Sequence, residues 1–522
     1  MIPVIVGAPF LRSLNMVCQR GNSNIISEYY ILRNRGIHRR TVSLNRTSTR
    51  VIGLLSGIFP PDKDYRMNPQ RTLLQYTVLI ASLFVSSCFI LPSLFEEQEE
   101  FISVQGTQLL HRGTPYYFAG ANMWYACYMG SPGSTGDRPR LLRELDTLKY
   151  HGVKNLRVLA ASEDSYIRRS VKPAIQRSPG VLDDSLLIGL DFLLAEMAKR
   201  DMHAVLYLGN YWEWSGGMVQ YNVWTGKPAV DPEDPVQGWG AFMDFSATFY
   251  SNPKANEMYR NYIKILVSRR NSVNGRTYSD DPTIMAWQLA NEPRPGRDND
   301  QGMANLPAFY QWIDETAAFI HSLDPNHLVS TGSEGTAGTL DSDEYFLKAH
   351  ATPNIDYLTC HLWAFNWGWF DPTRWEETLP SSETKAAAYI NRHFALARTL
   401  GKPLIMDEFG LGRDGGIIDP GTPTKARDRY YSLIYRILED SVRAGAPISG
   451  SNFWAWGGEG SARHEDGMWK PGDPFVGDPP QEPQGLNSVF VSDASTLAII
   501  RAHGEAMRAL SGQSKVGLVS RR

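Results

Sequence analysis

Two glutamates, Glu292 and Glu408, each stand at the end of a short apolar run, and paired carboxyl groups are where chemistry in this chain is sought first. Glu292 follows Ile284-Met-Ala-Trp-Gln-Leu-Ala290 and Asn291, and Glu408 follows Pro403-Leu-Ile-Met-Asp407. Leaving either carboxyl inside its run would be costly, so each is expected where a strand leaves the core. Two carboxyl groups about 5 to 5.5 Å apart can break a glycosidic bond with retention, one protonating the leaving oxygen and the other attacking the anomeric carbon.

Such a pair needs a scaffold that brings distant strand ends together. From Phe101 onward, apolar or β-branched runs alternate with helical patterns, the signature of βαβ units and a parallel sheet. Eight strands are expected at 117–124, 155–159, 203–209, 284–291, 327–333, 357–363, 404–409 and 451–456. Helices are expected at 140–151, 185–200, 255–270, 307–323, 383–400, 425–444 and 494–510, with the crossover at 340–350 the least marked. That order predicts one (β/α)8 barrel over 101–515, in which chemistry belongs at the C-terminal strand ends. Those ends carry Asn122 and Trp124, Arg157, Asn210-Tyr-Trp-Glu-Trp214, Asn291-Glu292, His361-Leu-Trp363, Asp407-Glu408 and Trp454-Ala-Trp456. Polar, acidic and aromatic groups thus recur along a single rim.

With 522 residues and a net charge of −3, the chain can bury a large core and has no basic stretch interleaved with aromatics, which argues against nucleic acid as a partner. Aromatics are 11% of residues, with 14 Trp, many of them in Gly- and Pro-containing segments that suit flat neutral ligands such as sugars. Four cysteines, Cys18, Cys88, Cys127 and Cys360, are too few and too dispersed for a disulfide framework or a zinc knuckle. Cys127 and Cys360 lie near the ends of strands one and six and are read as two separate buried thiols. The chain is expected to act as a monomer.

Residues 1–66 hold ten Arg or Lys against Glu28, Asp62 and Asp64, without sustained apolar periodicity. They are read as an upstream segment with the true start at Met67, a transit-like leader being the alternative. Met67-Asn-Pro-Gln-Arg71, the apolar run 73–85 and Ser86-Ser87-Cys88 resemble a signal peptide, and Val85-Ser-Ser-Cys88 resembles a lipobox with Cys88 lipidated. Since the apolar character extends from 73 to 95, an uncleaved membrane anchor is the competing reading. Either way export is expected, to a secreted or surface-anchored location, with 96–100 as an acidic linker.

Taken together, Asn291-Glu-Pro293, His361-Leu-Trp363, Asp407-Glu-Phe-Gly410 and Asn452-Phe-Trp-Ala-Trp456 resemble glycoside hydrolase family 5 over roughly 101–510. Ala119-Gly-Ala-Asn-Met-Trp-Tyr125, Asn155-Leu-Arg-Val-Leu159, the string from Leu206 to Gly217 and Asn366-Trp-Gly-Trp-Phe370 are similar to its mannanase subfamily. The resemblance implies endo-acting hydrolysis of β-1,4-mannosidic links in mannan, glucomannan or galactomannan by double displacement, without metal or cofactor. It makes Glu292 the acid/base and Glu408 the nucleophile, with Asn291 on the sugar 2-OH and Trp454 as the floor under the reacting sugar. Arg157 would hold Glu408 ionised through a charge-assisted bond, and His361 would bond near the acid/base or the sugar. Trp363 departs from the pattern, standing where many relatives carry Tyr beside the nucleophile, and an indole donates one hydrogen bond but accepts none. Trp124, Trp212, Trp214, Trp367 and Trp369 are candidate walls of neighbouring subsites. Glu213, Glu163, Asp407 and Glu459 are expected to bind sugar hydroxyls or backbone, with Asp407 facing away from Glu408 by strand alternation.

An exo-acting mannanase or mannobiohydrolase would share every catalytic residue and differ in the loops that close one end of the groove. The segments 214–239 and 459–484 are long enough to do so. A β-1,4-glucanase, a transglycosylating cell-wall enzyme and a non-catalytic carbohydrate-binding protein are the remaining alternatives, the last expected to lack one of the two glutamates.

Overall fold

The computed structural model describes residues 14–21, 24–33, 36–43 and 101–519, with side chains over 101–512. It divides into two compact units, 1–95 and 96–522. In the first, strands Leu14–Gly21, Asn24–Arg33 and Gly36–Ser43 pair as an antiparallel meander. The signal-like stretch 67–95 with Cys88, and the linker 96–100, lie outside the described residues.

The second unit is built on eight strands: β1 (Phe118–Asn122), β2 (Val153–Leu159), β3 (His203–Tyr207), β4 (Ile284–Gln288), β5 (Leu328–Ser330), β6 (Leu358–Leu362), β7 (Leu404–Phe409) and β8 (Ile448–Phe453). All neighbours are parallel, in the order β5-β4-β3-β2-β1-β8-β7-β6, so β1 pairs with β8 and the sheet curls nearly closed. Nearly every strand residue is buried, which parallel strands covered on both faces require and which explains their continuous apolar runs. An outer helix follows each strand: α1 (Arg138–Tyr150), α2 (Asp184–Ala198), α3 (Pro253–Val267), α4 (Asp300–Leu323), α5 (Asp343–His350), α6 (Trp375–Leu400), α7 (Lys425–Arg443) and α8 (Ala494–Val519), with shorter helices at Ala126–Gly130, Gly217–Trp224 and Gly238–Ala247 in the loops after β1 and β3. The expected (β/α)8 barrel is therefore present.

Local chemistry starts these helices. Side chains of Asp137, Asp183, Asn252, Asn299 and Ser342 accept backbone N–H bonds at the first turns of α1 to α5. The faint crossover at 340–350 is thus a capped helix, α5. Helices α4 and α6 begin at Asp300 and Trp375, well ahead of the expected 307 and 383, and carry Pro307 and Pro380 in their interiors. A proline marks a favoured first turn, but here the Asn299 cap sits two turns upstream of Pro307 and decides the boundary.

A short antiparallel hairpin set, Ile102–Gln105, Gln108–His111 and Thr114–Pro115, stoppers the barrel at the N-terminal ends of the strands. Ile102, Leu109 and Tyr116 pack there with Phe118, Val205, Met285 and Ile405. The opposite end is left for function. On the flank, Asp493 at the start of α8 accepts two 2.7 Å bonds from Arg413 and stands 3.4 Å from Arg427, both arginines being fully buried. That cluster clamps α7 and α8 to the β7–α7 loop. Substituting Asp493→Ala leaves two buried guanidinium groups without their counter-charge and should cost about 3 to 5 kcal/mol, measurable by denaturant unfolding.

Candidate active site

The site is organised from beneath by Arg157, which β2 delivers fully buried into the barrel mouth. Its Nε donates to Gln288 Oε1 on β4 at 2.7 Å, Nη1 to Asn122 Oδ1 on β1 at 3.2 Å, and Nη2 to Asn291 Oδ1 at 2.9 Å. Nη1 also donates to Glu408 on β7, and the guanidinium lies 4.6 Å from the centre of the Tyr207 ring on β3. One side chain thereby sets the spacing of five strands and fixes the carboxyl of Glu408.

Glu292 faces that carboxyl from the β4 side. Its backbone takes φ = 51°, a left-handed conformation that costs a non-glycine residue on the order of 1 kcal/mol or more and gathers at functional sites. The turn is held by the Glu292 N–H donating to Gly332 O at 3.0 Å. Three donors then converge on its carboxyl: Trp212 Nε1 at 2.5 Å on Oε2, and His361 Nδ1 at 2.6 Å and Trp363 Nε1 at 3.3 Å on Oε1. His361 Nδ1 also stands 3.2 Å from Glu408 Oε2, so the imidazole bridges the two glutamates. Burial alone would lower the His361 pKa, but the charge and hydrogen bonds of Glu408 and Glu292 outweigh it and push it up to about 10. One atom from each of Glu292, His361 and Glu408 lies within 4.8 Å of the others. These are also the described residues best grouped to hold a cation, yet all three are already engaged with one another.

Above the pair opens a cavity of about 470 Å³, lined by Trp212, Glu213, Trp214, Asn291, Glu292, Trp363, Trp367, Glu408 and Trp454 among others. Arg157 and His361, both fully buried, are absent from that lining. Trp363 and Trp454 meet edge to face, with centroids 5.8 Å apart.

Several expectations are corrected. Trp124 is not a subsite wall: it is 1% exposed, donates through Nε1 to Gly477 O at 2.8 Å and packs behind Trp214. Trp369 packs against Trp367, 4.9 Å away, in a cluster with Tyr389, and is absent from the cavity lining. The Trp363 indole, which stands where many relatives carry Tyr beside the nucleophile, donates to Glu292. Asp407 does not turn away from the Glu408 environment, for its Oδ2 lies 3.2 Å from Arg157 Nε while Oδ1 accepts from Asn452 Nδ2 at 2.7 Å. Strict alternation fails there because the β6–β7 register shifts between Cys360 and His361, passing over Asp407. Other expectations hold: Glu163 accepts the Gly217 backbone N–H at 2.8 Å, and Cys127 and Cys360 are separate buried thiols. Glu459 instead pairs with Arg143 at the surface.

Residues that strand-end reasoning passed over complete the site. Arg294 and Glu334 form a two-pronged ion pair at 2.5 and 2.6 Å on the cavity wall. The Arg294 guanidinium lies 5.1 Å from the Trp212 ring centre, and the Glu334 carbonyl accepts the backbone N–H of His361 at 3.0 Å. This pair therefore braces the Trp212 indole and the backbone that carries His361. Glu334 follows β5 as closely as Glu292 follows β4, a signal present in the sequence. Trp239, in a helix at Gly238–Ala247 between β3 and α3, and Pro479, Gln481 and Glu482, in the long segment after β8, also reach the cavity and carry no such signal.

The family model described as GH family 5 beta-mannosidase-like matches residues 99–512. The chain is 27% identical over 409 residues to mannan endo-1,4-beta-mannosidase 4 of Solanum lycopersicum, covering 74% of this chain and 92% of that relative. Among solved structures it is similar to a glycoside hydrolase family 5 mannosidase from Rhizomucor miehei, at 34% identity and TM-score 0.73, covering 80% of this chain and all of that one. A mutant of that enzyme has been solved in complex with mannosyl-fructose. The endo-1,4-beta-mannanase of the same organism, at 23% identity and TM-score 0.58 over 78% of this chain and 99% of its own, shares the fold.

A pKa raised from 6.5 to about 10 means that the charged His361 contributes stability in full below pH 6.5 and loses it as the pH climbs through about 10. Denaturant unfolding of the wild-type protein and His361→Gln from pH 6 to 10 should therefore show a stability gap that narrows toward the alkaline end. A gap independent of pH would contradict the bridging, charged imidazole.

Proposed function

From a chain that belongs to glycoside hydrolase family 5, in its β-mannosidase-like group, and is therefore a glycoside hydrolase, we propose an enzyme that cleaves β-1,4-mannosidic bonds of mannan-type polysaccharides by double displacement. Glu408 attacks the anomeric carbon while Glu292 protonates the departing oxygen; Glu292 then removes a proton from the water that releases the sugar. The observation that carries this reading is the approach of the two carboxyl groups, bridged by His361 Nδ1 at 2.6 and 3.2 Å and within 4.8 Å of each other through one oxygen apiece. An inverting enzyme needs roughly 6.5 to 9.5 Å to seat a water between them.

Arg157 donates to Glu408 Oε1 while His361 Nδ1 stands 3.2 Å from Oε2, so the attacking carboxylate is held at both oxygens. Trp212 and Trp363 orient Glu292 from above. Trp454, 4% exposed and lining the cavity, offers an apolar face to the C–H side of the reacting sugar. Asn291 is turned by Arg157 so that its Nδ2 lies 3.3 Å from Asn210 Oδ1, which leaves it a short rearrangement from the sugar 2-OH. Mannan as substrate draws support from the named activity of the tomato relative and from the mannosyl-fructose bound by the fungal one. Export, read from the run at 73–95, suits a polymer met outside the cell.

The tomato relative's name favours cutting inside the chain. A specific observation favours the alternative, cutting from a chain end: Pro479, Gln481 and Glu482 of the segment 459–484 stand in the cavity wall, as does Trp239 beyond the β3 loop.

Glu292→Gln and Glu408→Gln should each lower kcat on mannohexaose by about 1,000-fold or more, since both groups act in the bond-breaking step. Proton NMR of the wild-type reaction should detect the β-anomer of the product first. An α-anomer appearing first, or near-normal turnover in either variant, would sink double displacement.

A further inference from the structure

The flank of the barrel carries a second hollow. Between the outer helices α3 and α4 lies a groove of about 650 Å³ that shares no residue with the active-site cavity. A helical rise of about 1.5 Å per residue makes its run along α3, from Pro253 to Lys264, about 16 Å long. Both helices follow strands whose C-terminal ends form the active-site rim, so the groove starts at that end of the barrel and descends the outer wall.

Its floor is fixed. Trp312, 2% exposed, is wedged among Phe249, Tyr250 and Tyr259, with ring centroids 6.0, 5.0 and 6.3 Å away. Asn256 commits its Nδ2 to the carbonyls of Phe249 and Asn252 at 2.8 and 3.1 Å, which sets the orientation of its amide. Hydrogen-bonding capacity is nevertheless left over in this lining. Trp312 Nε1, Asn256 Oδ1 and Arg260 Nε have no hydrogen-bond partner among the described residues, although Arg260 Nη2 donates to Glu315 at 2.8 Å. A buried polar group left unmet carries its full desolvation cost, so the groove favours a ligand that supplies an acceptor and donors of its own.

Charge narrows the chemistry of that ligand. Glu257 and Glu315 are matched by Arg260 and Lys264, which leaves no local field to select a polyanion or a polycation. Asn261 and Gln311 add neutral donors and acceptors, and Tyr250 and Phe319 add apolar lining. Amide, indole and aromatic groups together suit a neutral molecule with many hydroxyls and an apolar C–H side.

We propose that the α3–α4 groove is a second carbohydrate site, which holds a stretch of β-mannan on the outer wall while the same polymer, or its neighbour in an insoluble particle, is cut at the barrel mouth. The inference rests on the mannoside reading above and adds to it a place where substrate is held without being cut. Holding polymer there raises the effective concentration of further links at the active site without any new contact to the reacting sugar. The benefit is therefore confined to long or insoluble substrates, and a trisaccharide that fills only the mouth gains nothing from it.

The test separates the two sites by stoichiometry and by substrate length. Calorimetric titration of Glu408→Gln with mannohexaose should give two sites per chain, and adding either Trp312→Phe or the pair Asn261→Ala and Gln311→Ala should leave one. In the otherwise wild-type enzyme these groove changes should lower the rate on insoluble mannan about threefold to tenfold, the scale of one lost hydrogen bond, with kcat and KM on mannotriose unchanged. Asn261 and Gln311 are exposed, so that pair carries the comparison if Trp312→Phe fails to fold. One mannohexaose site in Glu408→Gln, an unchanged rate on insoluble mannan, or an equal loss on mannotriose overturns the groove site while leaving mannoside hydrolysis intact. A wild-type enzyme that leaves every β-mannoside uncut overturns both.

Discussion

Everything at the mouth of this barrel depends on a buried guanidinium. Arg157, on β2, is the one side chain that touches Asn122, Tyr207, Gln288, Asn291, Asp407 and Glu408, residues contributed by four other strands and the turn after β4. A buried arginine is expensive unless every donor is met and its charge is balanced. Both conditions hold here only when the strands stand at the right height relative to one another. The polar layer therefore fixes the register of the barrel top, and with it the convergence of two glutamates that lie 116 residues apart in the chain, from 292 to 408.

A second layer builds upward from that one. His361 bridges the two carboxyl groups, Trp212 and Trp363 close on Glu292, and the Arg294–Glu334 pair steadies Trp212 and the backbone of His361 in turn. The strained φ of Glu292 fits this picture, since a backbone held in a sparsely populated region persists only where its surroundings over-determine it. Rigidity below and around the acid pair contrasts with the rim, where long loops after β3 and β8 shape the space a substrate can enter.

Much of this was legible in the sequence for a physical reason. Apolar runs of parallel strands are continuous because both faces are buried, so their ends are sharp, and Glu292, Glu408, Arg157 and His361 all sit at such ends. The same signal was present at Glu334, directly after the run expected as a strand at 327–333, although the strand that forms there, Leu328–Ser330, is only three residues long. Trp124 and Trp369 show the limit of reading aromatics: an indole at a rim position can equally pack behind another indole, and only the three-dimensional contacts distinguish the two. Strand alternation misled at Asp407 because a register shift is a feature of pairing and not of the strand's own sequence. Glu482 and Gln481 were illegible, since an irregular loop carries no periodicity from which to place a side chain.

The central claim is that Glu408 becomes covalently attached to the sugar. Incubation with a 2-deoxy-2-fluoro-β-mannosyl fluoride, which forms the glycosyl-enzyme quickly and releases it slowly, followed by proteolysis and peptide mass spectrometry, reads this directly. The account predicts a single adduct of one fluorosugar on the peptide containing Glu408, absent in Glu408→Gln. An adduct on another residue, or complete turnover of the reagent to the inverted sugar with no labelled peptide, would contradict it.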